Sequence, residues 1–180
     1  TFLLSKEIWK KILVKRQLIN YPYLLLYLPY NIVSKDIIYA SARRIADRYN
    51  LKLVTFSWDV RKEKQADKTL FFTSPSEFLA LMFYADYVIT NSFHGTAFSI
   101  IHEKRFLSFR RNFHEENSGD SRIIDLLKNL GIEDRWVQNI EQSSTDLLIN
   151  EIDYCDVKRR LEYLRMDSNG YLSKKLMDNK

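Results

Sequence analysis

Cysteine is nearly absent from the sequence, since Cys155 is the only one among 180 residues. One cysteine excludes a disulfide within the chain and a metal site built from cysteine thiolates, and it suits a reducing compartment. Apolar runs are short too, because none reaches the roughly 18 residues of a membrane-spanning helix. The first residues also lack a secretory signal pattern. Together these absences favour a cytoplasmic location.

Glycine and proline are scarce as well, at 4 and 3 residues, so there are few candidate linkers. The chain has 46% hydrophobic and 28% charged residues, which is typical of a globular domain and not of a disordered chain. Its net charge of +5 favours anionic ligands in general without choosing among them. The many aromatic residues lie mainly inside apolar runs, which indicates a core and disfavours nucleic-acid binding.

Metal and phosphate-loop motifs are also missing. The three histidines, His94, His102 and His114, do not have a familiar metal-ligand spacing. The sequence contains no glycine-rich phosphate loop and no Cys-x-x-Cys pair. We therefore expect no metal site.

Short apolar strands alternate with amphipathic helices along the chain. Residues 23–30 form a continuous apolar run, which predicts a strand buried on both faces. Further strands are predicted at 52–57, 70–72, 87–90 and 105–109, and helices at 5–17, 34–48, 74–84, 96–103, 120–131, 143–149 and 153–165. This alternation predicts a three-layer α/β/α Rossmann-like domain with a mostly parallel sheet.

Three regions follow from this pattern. Residues 1–20 would form an interdomain helix or one that leads into the domain, and residues 21–150 the Rossmann-like domain itself. Residues 151–180 would form a C-terminal helical arm. Because the first residue is Thr1 and a helix begins almost at once, we expect a fragment that lacks an N-terminal half.

Residues 85–96 carry the strongest chemical signal, since an apolar strand passes through small polar residues and one histidine into a helix. Such switches lie at the carboxyl ends of parallel strands, where ligands bind in open α/β sheets. Asn91, Ser92 and Thr96 offer side-chain donors, and Gly95 allows a close backbone approach at a helix start that suits an anion. His94 could donate a proton or bind an anionic oxygen. A plain turn with a satisfied histidine is an equal alternative.

Two further groups are weaker candidates. Arg110 and Arg111 follow a strand and Arg122 lies near a helix start, where a cation is poorly placed for the helix dipole. These arginines could bind an anion or could be solvated surface residues. Ser74, Ser76 and Glu77 open another helix, where helix capping is the favoured reading over ligand binding.

The stretches 76–79 and 85–101 resemble the signature region of the polysaccharide pyruvyl transferase family, and a looser resemblance covers residues 20–137. The resemblance implies a two-domain enzyme similar to GT-B glycosyltransferases, with this chain as the C-terminal, donor-binding half. It implies transfer of a pyruvyl group from phosphoenolpyruvate to a sugar of a cell-surface polysaccharide, giving a ketal, with His94 in donor binding and catalysis. Some members have an arginine two residues before that histidine. Here Ser92 stands there, so Arg110, Arg111 or Arg122 would have to supply the charge.

This chemistry implies a saccharide or lipid-linked saccharide as acceptor, phosphoenolpyruvate as donor substrate, and no cofactor. The donor site would contain Asn91, Ser92, Gly95 and Thr96 beside the three arginines. The expected location is cytoplasmic, with the option of peripheral association with the inner face of the membrane. Two alternatives stay open: a GT-B-type glycosyltransferase that uses a nucleotide sugar, and a non-catalytic saccharide-binding domain.

Overall fold

The computed structural model describes residues 2, 4–30, 35–57, 63–71, 73–111, 120–138 and 151–177. The helices are α1 (Lys6–Ile12), α2 (Lys35–Arg48), α3 (Pro75–Tyr84), α4 (Phe93–Ile101), α5 (Ser121–Leu130) and α6 (Tyr154–Met177), with a short 3-10 helix at Glu133–Arg135. The strands are β1 (Tyr23–Tyr27), β2 (Lys52–Ser57), β3 (Lys68–Phe71), β4 (Tyr87–Thr90), β5 (Arg105–Phe109) and β6 (Trp136–Val137).

The six strands form one sheet in the order β3-β2-β1-β4-β5-β6, and every neighbouring pair is parallel. The chain first builds outward from β1 to β3 and then returns to the other side of β1 with β4. The direction of sheet growth therefore reverses between β1 and β4. This arrangement confirms the predicted α/β Rossmann-like fold with a parallel sheet.

The central strand β1 is buried on both faces, as its unbroken apolar run predicts. Tyr23 and Leu25 belong to a hydrophobic cluster that also receives residues of α3, α4, α5 and α6. Leu24 and Leu26 belong to a second cluster, which receives the inner face of α2. The sheet is thus the middle layer of three, and the two faces form separate halves of the core.

Several predicted bounds differ from the observed ones. Helix α1 ends at Ile12 and not at residue 17, because Leu13 has an extended backbone. The Leu13 side chain is buried in the core, and Val14 N donates to Ser76 O. Strand β1 ends at Tyr27, two residues before Pro29, whose backbone has no N–H to donate. The helix expected at 153–165 continues to Met177. The helix predicted at 143–149 lies outside the described residues.

The first and last helices lie side by side on the face that carries α4. Arg165 of α6 donates to the backbone oxygens of Phe2 and Leu4, just before α1. Glu103, which follows α4, accepts ion pairs from Lys6 of α1 at 2.5 Å and Lys158 of α6 at 2.8 Å. Both terminal segments are therefore tied to the end of one core helix. Among the described helices, none is long and apolar enough to cross a membrane.

Candidate functional site

The candidate site lies where sheet growth reverses, at the carboxyl ends of β1 and β4. Tyr27 and Thr90, the last residues of these strands, are paired in register, and Thr90 Oγ1 donates to Tyr27 O at 2.7 Å. Beyond this pair the chain leaves β1 toward α2 on one face and leaves β4 toward α4 on the other. The two connections leave toward opposite faces of the sheet, and in sheets of this order ligands bind in the crevice outside the strand ends at such a point.

Helix α4 begins at Phe93, three residues earlier than predicted. Ser92 is its N-cap, and the hydroxyl of Ser92 accepts from Gly95 N at 3.5 Å. His94 therefore lies within the first helical turn and not before it, and its side chain is exposed. In the described part of the chain, the backbone N–H groups of Phe93 and His94 donate no hydrogen bond. Unpaired N–H groups at a helix start attract an anion.

Gly95 and Thr96 are held inside the protein. A Cβ atom at Gly95 would lie 2.3 Å from Thr90 Oγ1, so the glycine allows α4 to pack directly on β4. The close approach is thus made to the strand, whereas the sequence pattern suggested a ligand. The hydroxyl of Thr96 bonds to Ser92 O at 3.0 Å and to Ser108 Oγ at 2.7 Å. Both residues fix the start of α4, and a direct contact of either with a donor stays a prediction.

Asn91 differs from its neighbours because its side-chain amide is fully buried and has no hydrogen-bond partner within the described residues. Such an orphaned amide costs free energy, about 1–3 kcal/mol for a buried donor or acceptor. Native proteins therefore seldom leave one unmatched unless a ligand or water completes it. Its position between β4 and α4, directly below the crevice, makes Asn91 the polar group of this turn that most needs an outside partner.

Arg122 and His94 both contact the side chain of Phe93. The guanidinium carbon of Arg122, in the first turn of α5, is 5.2 Å from the centre of the Phe93 ring. The Phe93 and His94 rings meet edge to face at 5.8 Å. A cation over an aromatic ring is favourable, and this contact brings a positive charge to the start of α4.

Arg111 lies on the other side of the crevice. Its guanidinium carbon is 4.0 Å from the centre of the Tyr30 ring, and its Nε atom lies 3.3 Å from Asp120 Oδ1. Arg110 is half-buried, and its backbone N–H donates to Val137 O at 3.0 Å beside β6. Of the three candidate arginines, the structure thus places Arg111 and Arg122 against aromatic residues of the crevice.

The weaker candidate at Ser74 is a helix cap, as the favoured reading holds. The hydroxyl of Ser74 accepts from Glu77 N at 3.3 Å, while Ser74 N donates to Glu77 Oε2 at 2.9 Å. This reciprocal pair is a capping box at the start of α3. Ser76 Oγ lies 3.3 Å from Ser74 Oγ, so the polar groups of this turn bond to one another.

His102 lies at the opposite end of α4 and is 3% exposed. Its ring stacks on Phe98 at 6.1 Å and meets the Phe83 ring edge to face at 5.3 Å. Burial, with the nearby charge of Lys104 second, lowers the pKa of His102 to about 4. His114 lies outside the described residues. Within the described ranges, no group of three or more histidine, cysteine or acidic side chains could hold a metal ion.

Comparisons with known structures agree with this architecture. The chain is similar to a mutant O-GlcNAc transferase from Thermobaculum terrenum, with a TM-score of 0.56 and 10% identity over 88% of this chain and 35% of that chain. It is also similar to a UDP-GlcNAc 2-epimerase from Methanocaldococcus jannaschii, with a TM-score of 0.48 and 14% identity over 88% of this chain and 47% of that chain. The chain thus spans less than half of either protein, and at such low identity the first likeness shows the fold alone.

Sequence comparison identifies the family. No curated protein matches the sequence. The model of the polysaccharide pyruvyl transferase family matches residues 1–112, which is more than half of the 180-residue chain. The match includes β4, the turn through Asn91 and Ser92, and the whole of α4. The resemblance in residues 76–79 and 85–101 is therefore confirmed, and the chain belongs to the polysaccharide pyruvyl transferase family.

Proposed function

We propose that the chain is the donor-binding half of an enzyme that transfers a pyruvyl group from phosphoenolpyruvate to a sugar and forms a ketal. The observation that carries this proposal is an exposed histidine, His94, in the first turn of a helix whose start lies at the switch point of the sheet. Membership in the family supports the reaction class.

The start of α4 suits the donor because it combines three features. Backbone N–H groups that donate no hydrogen bond within the described residues favour a phosphate or carboxylate, Arg122 adds a positive charge nearby, and the buried Asn91 amide lacks a partner among the same residues. Ser92 caps the helix, so it fills the position of the family's arginine with a structural role. In this proposal, Arg111 and Arg122 supply the charge that Ser92 does not.

In this reaction the protein must deliver a proton, stabilise a positive centre and bind the phosphate leaving group. The methylene carbon of phosphoenolpyruvate gains a proton and becomes a methyl group, a sugar hydroxyl attacks the neighbouring carbon, and the carbon–oxygen bond to phosphate breaks. A second hydroxyl then closes the ketal. Of the two hydroxyl protons, one balances the new methyl group and the other leaves with phosphate. Histidine is suited to such transfers near neutral pH.

In this role His94 delivers or shuttles the proton, or holds the donor, while the helix start holds the phosphate as it leaves. Asn91, Ser92, Gly95 and Thr96 shape the donor site. Residues 21–150 would act as the donor-binding domain, with residues 1–20 and 151–180 as helical segments beside it. The scheme uses phosphoenolpyruvate as a substrate and asks for no further cofactor.

The acceptor would be a sugar of a cell-surface polysaccharide or its lipid-linked precursor, which would bring a cytoplasmic enzyme to the inner face of the membrane. Acceptor contacts would come mainly from a second domain, so the reaction is expected from the full-length protein. The chain spans about a third of the O-GlcNAc transferase whose fold it shares.

The test is incubation of the full-length protein with phosphoenolpyruvate and a panel of candidate saccharides. We expect release of inorganic phosphate and a pyruvyl ketal detected by mass spectrometry. Absence of both products, together with thermal stabilisation by nucleotide sugars but not by phosphoenolpyruvate, would favour a glycosyltransferase. Saccharide binding that persists unchanged in His94→Ala, with no turnover of either donor, would favour a binding domain.

A further inference from the structure

Asp120 occupies the N-cap position of α5 without capping it, since its side chain makes no capping hydrogen bond to that helix. The carboxylate instead faces Arg111. Arg111 N donates to Asp120 Oδ2 at 3.2 Å, and Arg111 Nε lies 3.3 Å from Asp120 Oδ1. Asp120 is 4% exposed, so the pair is largely removed from water.

Burial makes this pair costly unless it is well matched, because a carboxylate loses its hydration when it leaves water. A surface aspartate could have capped α5 without that cost. The contact with Arg111 therefore needs another reason, and its geometry offers one. Nε forms an ion pair with Asp120 Oδ1 without a hydrogen bond, while the guanidinium group lies against the Tyr30 ring, 4.0 Å from its centre.

These two contacts do not involve the outer nitrogens of Arg111, Nη1 and Nη2, as hydrogen-bond donors. In the described residues, neither Nη atom of Arg111 donates a hydrogen bond, and only Nε among its nitrogens is buried without one. Two Nη groups on a fixed guanidinium plane can donate in parallel to one carboxylate or phosphate. Asp120 and Tyr30 thus contact the Arg111 guanidinium group, while its outer nitrogens make no hydrogen bond to any residue that the structure describes.

The position of the Arg111–Tyr30 contact places these donors above the crevice. Tyr30 follows β1 and Arg111 follows β5, while β4 lies between those two strands. The contact therefore joins the segments that follow the two strands on either side of β4. The start of α4, with Arg122 against Phe93, lies on the other face of the sheet edge.

We propose that Asp120 is a positioning residue that fixes Arg111 as a second anion-binding group of the crevice, opposite the start of α4. The inference rests on the proposed function and deepens it. A crevice with two separate positive groups fits a small donor that carries two anionic groups, as phosphoenolpyruvate does with its carboxylate and phosphate. Arg111 binds one of them, and Asp120 acts only through Arg111.

The test is a double-mutant cycle in the full-length protein, with the Kd of phosphoenolpyruvate measured by titration calorimetry and KM and kcat measured by phosphate release. We expect Arg111→Gln to weaken donor binding about 10- to 100-fold, the range for losing hydrogen bonds to a charged group. Asp120→Asn should weaken it about 5-fold while kcat stays within about twofold, because uniform binding is lost. The double variant should bind like Arg111→Gln alone.

A matched control is the ion pair between Arg43 and Asp67, which is 2.8 Å long and lies away from the crevice. Arg43→Gln and Asp67→Asn should change the melting temperature and leave the Kd unchanged. Asp120→Asn with unchanged donor affinity would overturn the inference. Effects of Asp120→Asn and Arg111→Gln that multiply in the double variant would also overturn it, since Asp120 would then act independently of Arg111.

The donor proposal can fail separately. If the wild type binds UDP and not phosphoenolpyruvate, the proposed donor is wrong, and the same cycle measured with UDP decides the role of Asp120. Loss of UDP affinity in both single variants without a further loss in the double variant would support the positioning role. Binding of UDP that is equal in all four proteins would contradict it.

Discussion

The two histidines of α4 lie at opposite ends of one helix and have opposite surroundings. His94, in the first turn, is exposed at the carboxyl edge of the sheet beside Phe93 and Arg122. His102, at the last turn, is buried at the amino edge between Phe83 and Phe98. Of these two histidines, only His94 is thus accessible for chemistry, at the carboxyl edge of the sheet.

The difference arises from what packs against each end of the helix. At the amino edge, α1 and α6 cover the end of α4 through the ion pairs of Glu103 with Lys6 and Lys158. At the carboxyl edge, the connections after β1 and β4 diverge to opposite faces of the sheet. The same element therefore has a closed structural end and an open polar end, which is the division expected of a switch-point site.

The largest effect is expected at the open end. His94→Asn should lower kcat for pyruvyl transfer about 100- to 10,000-fold, the range for losing a general acid or base. Because the side chain is exposed, the free energy of unfolding should change by no more than about 0.5 kcal/mol. Phosphate release and a denaturant titration measure the two quantities. A variant with wild-type kcat would remove His94 from the chemistry.

The closed end should give a pH effect on stability in place of an effect on turnover. The pKa of His102 is about 4 in the folded chain and near 6.5 in the unfolded chain, so the unfolded state binds more protons between those values. The contribution of neutral His102 to the free energy of unfolding is fully present above pH 6.5 and is lost as the pH falls toward 4. The maximum is about 3 kcal/mol.

His102→Phe isolates this term because phenylalanine does not titrate and keeps an aromatic ring against Phe98. As the pH falls from 6.5 to 4, the wild type should lose about 3 kcal/mol of unfolding free energy relative to the variant. Lys6, Lys10, Glu103 and Lys104 are present in both proteins, so their effects cancel to first order. A difference that is constant with pH would show that His102 is not held neutral.

Alanine substitutions at two glycines, one tightly packed and one exposed, should have opposite effects on stability. Gly95→Ala places a Cβ atom 2.3 Å from Thr90 Oγ1 and should destabilise the protein by about 1–3 kcal/mol, as overpacking does. The matched control is Gly170→Ala in α6, where nothing lies within 4 Å and the change should stabilise by about 0.5–1 kcal/mol. Thermal melts compare the two. Equal effects would mean that α4 does not pack tightly on β4.

The smallest effects are expected at two helix caps. Ser92→Ala and Ser74→Ala should each cost about 0.5–1 kcal/mol of stability, since each removes an N-cap hydroxyl. Only Ser92→Ala should also raise the KM for phosphoenolpyruvate, because Ser92 fixes the turn that carries His94. An equal rise in KM for Ser74→Ala would place the donor nearer α3.

Local pattern was enough to predict the fold and the strand-to-helix switch that carries the candidate site. The unbroken apolar run of β1 and the strand-to-helix switch at Asn91 depend on neighbouring residues alone. The pattern of apolar residues along the sequence therefore predicts both. The start of α4 was missed by three residues because His94 and Gly95 are weak helix formers in isolation. Their helical state follows from the Ser92 cap and from packing against Thr90.

Contacts between distant segments could not be predicted in this way. From the sequence alone, Arg110, Arg111 and Arg122 were equal candidates for the positive charge that binds the donor. Alternation at the end of β5 could have separated the first two, because consecutive residues of a strand point to opposite faces of the sheet. Aspartate is a preferred N-cap residue, but Asp120 makes no capping hydrogen bond to α5 and instead accepts from Arg111 N, nine residues away.

Selective modification of the histidines tests the central claim most directly. Diethyl pyrocarbonate acylates accessible imidazoles, and mass spectrometry can follow His94 and His102 separately in the full-length protein. The account predicts that His94 reacts quickly, that phosphoenolpyruvate slows this reaction at concentrations that saturate the enzyme, and that His102 reacts slowly in both conditions. A rate at His94 that is the same with and without phosphoenolpyruvate would contradict the assignment of the donor site to the start of α4.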